Sequence, residues 1–324
     1  MAEKIVTVFG ASGFVGRHVV RELASRGWRV RAAVRRPANA NFLRPLGKVG
    51  QIDIVQANIR YRPSISGALD GATAVVNLVG ILAGEGQNNF DGVQAAGARN
   101  VAEMATKAGI TNLVHISAIG ADSDSESDYA RTKAEGEEAF RDYAPETTIL
   151  RPSIIFGPQD DFFNRFAGMA RTSPALPLIG GGKTKFQPVY VDDVADAVAI
   201  ALEDSQYNGK TYELGGPEVM TFKELMELTL KMIGRKRILA PLPFGMASLM
   251  GTFGDMASIL PFVQAPITRD QVKLLKSDNI VGLTDENLGT FDDFGITPET
   301  MEAILPTYLV KYRKQGQFSP EAVG

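Results

Sequence analysis

The 324-residue sequence predicts an α/β protein: a doubly wound parallel sheet with a smaller, mainly helical C-terminal domain. Three observations carry this. Short apolar, β-branched runs alternate with helical periods over the first half of the chain. The first run meets a glycine turn, Gly10-Ala11-Ser12-Gly13-Phe14-Val15-Gly16, that opens a helical period. Further on, Tyr129-Ala130-Arg131-Thr132-Lys133 places a phenol and an ammonium four residues apart, on one helix face.

The elements follow in order. Ile5 to Phe9 is a short apolar run stopped by glycine, the pattern of a strand buried on both faces. Val15, Val19 and Leu23 make one helical stripe, which Gly27 is placed to end. Arg29 to Val34, Asp53 to Gln56 and Ala74 to Val79 read as strands two to four. Val93 to Ala108 is an alanine-rich helix, Leu113 to Ser117 a fifth strand and Tyr129 to Arg141 a helix. Thr148 to Leu150 leads a sixth strand into Arg151-Pro152. The pattern loosens after Phe156-Gly157-Pro158. Gln187 to Val194 is then a strand running into a helix with Asp192 and Asp193 in its first turn, favourable at that dipole end. Lys210 to Leu214 is a short strand closed by Gly215-Gly216-Pro217, and Thr221 with Glu224 forms a capping box. The expected organisation is a nucleotide-binding core over 1–156, completed by 186–216. Residues 157–185 and 217–324 form the smaller, partner- or substrate-side domain.

Composition bounds the chemistry. With no cysteine, thiol catalysis, disulfides and cysteine metal sites are excluded, and two histidines are too few for a histidine metal site. No metal is expected. His115, in an apolar run, reads as a satisfied structural histidine. The first strand pattern begins at Lys4, which leaves no room for a targeting segment and points to a bacterial protein or a processed chain. No apolar run reaches the ~20 residues of a membrane-spanning helix. Lys and Arg outnumber Asp and Glu twelve to three over residues 1–62, against 34 to 37 in the whole chain. That basic face suits a phosphate-rich cofactor, an acidic partner or an anionic membrane surface, or is simply solvated.

In the glycine turn, Gly10 permits the tight bend, Gly13 lets backbone approach a diphosphate and Gly16 allows close helix–strand packing. The pyrophosphate of a dinucleotide belongs at the helix N-terminus, with Ala11, Ser12, Phe14 and Val15 around it. An acid at the end of the second strand would select NAD; this chain has Val34-Arg35-Arg36. A guanidinium fork matches a 2′-phosphate, so NADPH is the expected cofactor. Beside it, the Lys133 ammonium favours an ionised Tyr129, a usable acid or base.

These motifs together resemble the short-chain dehydrogenase/reductase superfamily, in its extended branch, and imply a Rossmann-type core. The resemblance implies further cofactor contacts at Asn58, Ile59, Leu78, Val79, Gly80 and Pro152. It also implies a catalytic set of Ser117, Tyr129 and Lys133, all three also near the nicotinamide ribose. Active extended members carry consecutive hydroxyl residues after the fifth strand; here Ala118 follows Ser117, so the catalytic position is either Ser117 or Ala118. The acidic, serine-rich stretch Asp122 to Asp128 has the composition of a mobile or solvated loop.

Three segments narrow the resemblance. They are Arg151-Pro152-Ser153-Ile154-Ile155-Phe156-Gly157-Pro158-Gln159-Asp160-Asp161-Phe162-Phe163-Asn164-Arg165-Phe166, Lys185-Phe186-Gln187-Pro188-Val189-Tyr190-Val191-Asp192-Asp193-Val194, and Gln271-Val272-Lys273-Leu274-Leu275-Lys276-Ser277-Asp278-Asn279. The chain is similar to the NADPH-binding, dehydrogenase-like accessory subunits of respiratory complex I over nearly its whole length. That resemblance implies a structurally held NADPH, complex I subunits near the quinone site as partners, no nucleic acid, and a peripheral place on the cytoplasmic face of a bacterial membrane or the matrix face of the mitochondrial one. Ile238 to Val263 is apolar but broken by prolines and glycines, with Met246, Leu249, Met250 and Phe253 as a stripe. It suits contact with a partner or with lipid headgroups, or else the wall of a substrate pocket. Two other functions stay open: a free NADPH-dependent reductase or epimerase for a hydrophobic or quinone-precursor substrate, and a redox sensor whose NADPH occupancy switches partner binding.

Overall fold

The computed structural model describes residues 4–82, 84, 88–257, 268–283 and 285–318. β1 (Ile5–Phe9) is an interior strand, with Val6, Val8 and Phe9 buried as a strand covered on both faces requires. The glycine turn leads into α1 (Phe14–Ser25), in which Val19, Val20 and Leu23 are buried. Gly27, at φ +86°, turns the chain back after it. β2 (Arg29–Val34) pairs with β1 in the register Ile5↔Arg29 and with β3 (Ile52–Gln56) in the register Val30↔Ile52. A 3₁₀ segment at Pro37–Leu46, absent from the sequence expectation, lies between them. α2 (Arg62–Leu69) was equally illegible, its short apolar set being masked by Pro63 and Gly67.

β4 (Ala74–Asn77) pairs with the other side of β1, in the register Val6↔Ala74. The expected helix from Val93 instead opens with a wide turn at Asp91–Ala95, which runs on as α3 (Ala96–Lys107). The buried Gln94 donates to the Ile81 carbonyl at 2.6 Å and accepts from Thr132 at 3.0 Å. β5 (Asn112–Ile116), α4 (Asp128–Tyr143) and β6 (Thr148–Pro152) follow. Gly136 in α4 is where that helix passes closest to its neighbour: an added Cβ would lie 2.7 Å from the Gln94 carbonyl oxygen.

After β6 the chain passes through β7 (Ile155–Phe156), α5 (Phe162–Thr172), β8 (Ala175–Ile179), β9 (Lys185–Phe186) and β10 (Val189–Tyr190). It then supplies α6 (Val191–Glu203) and β11 (Thr211–Leu214), which completes a seven-stranded parallel sheet in the order β11-β6-β5-β4-β1-β2-β3. The remaining elements are β12 (Met220–Thr221), α7 (Phe222–Met232), β13 (Ile238–Leu242), α8 (Phe244–Ala257), α9 (Arg269–Leu274) and α10 (Met301–Leu309).

The chain divides into two units. The first comprises Met1–Pro152, Val191–Leu214 and Asn287–Thr297. The last of these segments lies within the range that the sequence assigned to the smaller domain. It joins the sheet because Glu213 donates from its backbone to Gly289 at 2.8 Å, and Phe294 stacks on Tyr207 at 4.5 Å. No local pattern announces so short a return.

The second unit comprises Ser153–Tyr190, Gly215–Glu286 and Pro298–Gly324, with a core of Phe156, Phe163, Leu225, Met226 and Leu305. The Thr221–Glu224 capping box forms as the sequence predicts. Asp160 anchors the Gly157 turn: it accepts from Tyr308 at 2.5 Å, from the Gly157 N–H at 3.1 Å and from the Asn164 N–H at 3.0 Å. Burial raises the Asp160 carboxyl above the ordinary range, and the three hydrogen bonds oppose that.

Candidate functional site

The sheet reverses its winding between β1 and β4, and in an open α/β sheet that crevice at the strands' carboxyl ends is where ligands bind. The glycine turn stands there. Gly10 holds φ +83°, and an added Cβ would sit 3.2 Å from the Leu78 carbonyl carbon of the adjoining strand end. At Gly16 an added Cβ would lie 2.2 Å from the Gly10 oxygen and 2.7 Å from Ala11. Gly13 caps α1 from extended backbone without any side-chain cap, and the first turn of α1 carries no acid. Ala11 is buried, Ser12, Phe14 and Val15 are half-buried and Gly13 is exposed. Backbone N–H groups at the start of α1 therefore point at a place shaped for an anion.

The other sequence-selected residues stand at neighbouring strand ends. Arg35 and Arg36 follow β2, both exposed, and Arg35 donates to Asn88 at 3.3 Å. Asn58 follows β3, but its side-chain oxygen is engaged by the Arg60 N–H at 3.1 Å. Ile59 is buried, with its carbonyl held by Asn100 at 3.0 Å. Leu78 and Val79 continue β4 half-buried, and Gly80 brings bare backbone to Lys133, whose Nζ would be 3.3 Å from an added Cβ. At the end of β6 the Pro152 carbonyl accepts from Ile119 at 3.1 Å.

Ser117, just past β5, is buried, and its hydroxyl has no partner among the described residues. Ala118 beside it is half-buried. Lys133 is buried, donates to the Ile116 carbonyl at 3.0 Å and lies 5.9 Å from the Tyr129 ring centroid. Tyr129 also meets Phe90 edge-on at 6.2 Å.

The electrostatics differ from the sequence expectation. Burial pushes the Tyr129 phenol up to about 12 rather than down. Burial also lowers Lys133 to about 8, with Glu137 pulling it the other way. Desolvation of both groups outweighs their mutual effect, because the ammonium is directed to the Ile116 carbonyl. Below about pH 8 folded and unfolded chains both hold the Lys133 proton, and the full burial cost is felt. Between about 8 and 10.5 the unfolded chain holds more protons, so this group's contribution to stability rises with pH. Comparing urea unfolding of the nucleotide-free protein with that of Lys133→Met, the stability difference should move by about 1–2 kcal/mol in favour of the unaltered chain from about pH 7 to about pH 9.5. A constant difference would show an ordinary lysine.

Beneath Lys133 lies an ion cluster that the sequence did not disclose. Arg151 grips the fully buried Glu137 through two bonds of 2.8 and 2.7 Å. Arg141 adds a third contact at 2.8 Å, and Glu213 lies 3.9 Å from Arg151. The four-residue step from Lys133 to Glu137 was the available signal. His115 is only partly satisfied. Its Nδ1 meets Asn77 at 3.2 Å and its ring stacks on Phe140 at 4.4 Å, but Nε2 has no partner among the described residues. Burial, then Lys133, holds it neutral, well below the usual histidine range.

The stretch Asp122 to Asp128 is mostly exposed, in keeping with a solvated segment, and carries local side-chain caps. Asp122 accepts from the Asp124 N–H at 3.0 Å, and Ser127 caps α4 through the Ala130 N–H at 3.4 Å. Among the described residues no group of three or more His, Asp or Glu side chains could hold a metal. An uncapped helix start, glycines whose missing side chains open the turn and an unpartnered buried Ser117 hydroxyl together fit a dinucleotide.

The model of the NAD dependent epimerase/dehydratase family matches residues 6–215. NADH dehydrogenase (ubiquinone) 1 alpha subcomplex subunit 9, mitochondrial, of Arabidopsis thaliana is 36% identical over 319 residues, covering 96% of this chain and 79% of that protein. The Mus musculus protein of the same name is 32% identical, covering 98% and 82%. The crystal structure of DesIV, a dTDP-glucose 4,6-dehydratase from Streptomyces venezuelae with NAD and TYD bound, aligns with a TM-score of 0.70 at 20% identity, covering 95% of this chain and 96% of that one. That last likeness is one of fold.

Proposed function

The chain belongs to the NAD dependent epimerase/dehydratase family and, within it, to the complex I accessory subunits of the alpha subcomplex subunit 9 type, and from this we propose that it holds NADPH as a structural element of a complex I assembly. The observation that carries this is the extent of the likeness. The family model stops at residue 215, whereas the subunit 9 relatives match 96% and 98% of the chain, second unit included.

In this reading the diphosphate rests on the start of α1, over Gly10 to Gly16, and Arg35 and Arg36 face the 2′-phosphate. Asn58, Ile59, Leu78, Val79 and Gly80 border the adenosine, while Ser117, Tyr129, Lys133 and Pro152 border the nicotinamide ribose. NADPH supplies hydride-transfer chemistry when bound. What the chain supplies around it is poor in base catalysis and in carbonyl-polarising hydroxyls. Burial holds the Tyr129 phenol up at about 12, which disfavours it as a base, and Ala118 offers no second hydroxyl beside Ser117.

The second unit is the partner-facing part. Ile238 begins β13, which pairs in parallel with β8, and is 69% exposed; Met246, Leu249 and Met250 on α8 are exposed as well. Such a face supports docking against complex I subunits beside the quinone region, or against lipid headgroups, rather than an internal wall. The Phe253 side chain and residues 258–267 lie outside the described residues. Among the described residues no helix is long and apolar enough to cross a membrane, in keeping with a peripheral place on the cytoplasmic or matrix face.

The deciding measurement is the redox state of the bound nucleotide in complex purified from native membranes during steady NADH oxidation. NADPH should stay reduced. Its oxidation at the turnover rate would overturn the structural role and restore a reductase using Ser117, Tyr129 and Lys133. Arg35→Asp is expected to weaken NADPH binding by about tenfold or more and to improve NADH relative to it. Equal affinity of the unaltered protein for both nucleotides would refute the choice of NADPH.

A further inference from the structure

Part of the basic surplus of residues 1–62 is neutralised by the fold. Arg21 and Arg26 on α1 are paired with Asp192, Asp196 and Glu203 on α6, together with Glu22. Arg62 pairs with Glu103, whereas Arg31 donates to the Ala68 and Asp70 carbonyls. Near the glycine turn and the end of β2, Arg17, Arg35, Arg36 and Arg44 have no carboxylate partner among the described residues.

Arg17 is placed differently from the rest. It follows the third glycine of the turn and sits in the first turn and a half of α1. Its guanidinium lies over the Phe42 ring, 4.6 Å from the centroid. Nε donates to the Gly13 carbonyl at 3.3 Å, and Nη2 reaches the Ser12 carbonyl at 3.5 Å. Both N–H groups on Nη1 are left uncommitted among the described residues. Phe42 belongs to the 3₁₀ segment that directly follows Arg36. The Gly10 N–H, bonded to the Ala33 carbonyl at 3.3 Å, ties the turn to the end of β2. A planar cation is thus fixed between the glycine turn and the strand end where a ribose 2′ substituent is read.

We propose that Arg17 is a specificity residue for the 2′-phosphate of NADP(H), a third cation beside Arg35 and Arg36 that Phe42 and the Ser12 and Gly13 carbonyls hold ready. This rests on the reading that the site takes NADPH. Arg35 and Arg36 are exposed, and ordering such long side chains on an anion costs conformational entropy. Arg17 is already stacked on Phe42 and bonded to two carbonyls, so ordering it on an anion costs less.

The test uses the full chain, freed of nucleotide, and two probes that differ only in the phosphate at issue: adenosine 2′,5′-bisphosphate and adenosine 5′-monophosphate, titrated calorimetrically. Arg17→Ala is expected to weaken the bisphosphate by about tenfold and the monophosphate by less than about twofold. Arg17→Lys, which keeps charge without the planar fork, and Phe42→Ala, which keeps the fork without its stack, should each lose part of the same preference. Equal loss of both probes would place Arg17 in support of the glycine turn and overturn the proposal, as would no loss at all. Should Arg17→Ala fail to fold, undiminished preference in both Arg17→Lys and Phe42→Ala would overturn it equally. An unaltered protein that binds the two probes alike would refute the NADPH reading itself. A selective protein indifferent to Arg17 refutes only the role of that residue.

Discussion

Gly16→Ala is expected to abolish tight nucleotide binding and to destabilise the first unit, although the change adds a single methyl group. That carbon would lie 2.2 Å from the Gly10 oxygen and 2.7 Å from Ala11, and every obstructing atom is backbone. No side-chain rotation relieves such a clash; the start of α1 must move off the turn, and the diphosphate cradle moves with it. Overpacking typically costs about 1–3 kcal/mol, and rigid obstruction puts this case at or above the upper end. Loss of NADPH affinity should exceed about tenfold. Gly67→Ala is the control. It lies within α2 with nothing inside 4 Å of its added Cβ, so it should be neutral or stabilising by up to about 1 kcal/mol. Thermal unfolding with and without NADPH checks both. A Gly16→Ala protein that melts with the unaltered one and keeps its nucleotide would refute the packing described for the turn.

Arg151→Met should cost nearly as much in stability by a different route. It leaves Glu137, fully buried, without the fork that holds both its oxygens. Breaking a buried ion pair from one side costs about 3–5 kcal/mol, and the retained Arg141 contact favours the lower end. Adding Glu137→Leu removes the stranded charge, so the double variant should regain much of the loss. Denaturant unfolding of the single and double variants measures this. If the double variant is no more stable than Arg151→Met, the cost comes from lost packing around Arg151 and not from the isolated carboxylate.

Much of the nucleotide-binding unit was legible because its signals are local. Ile5–Phe9 and Arg29–Val34 agree with the structure at both ends, since a buried parallel strand is a short apolar run bounded by turn residues. Gly10 and Gly16 declare their backbone demands by type and spacing. Capping residues such as Thr221 with Glu224 work within four residues of chain. Local reasoning failed where the deciding partner was distant in sequence: Glu137 finds Arg151 on another element, and Gly289 returns to the backbone of Glu213.

By itself the sequence determined the Rossmann-type α/β class, the glycine turn, the absence of an acid after β2 and the helix that carries Tyr129 and Lys133. The class follows from the succession of such local patterns, and each of the others is a property of residues within about two helical turns of one another, where steric and hydrogen-bonding rules act. The tertiary structure decided what those residues can do. Tyr129 and Lys133 stand in the spacing that would activate a phenol, but burial holds Tyr129 at about 12 and draws Lys133 down to about 8. It also joined Glu137 to Arg151, carried Asn287–Thr297 back to the sheet and set Arg17 over Phe42. Solvation and Coulomb energies depend on distances through space, which chain order does not encode.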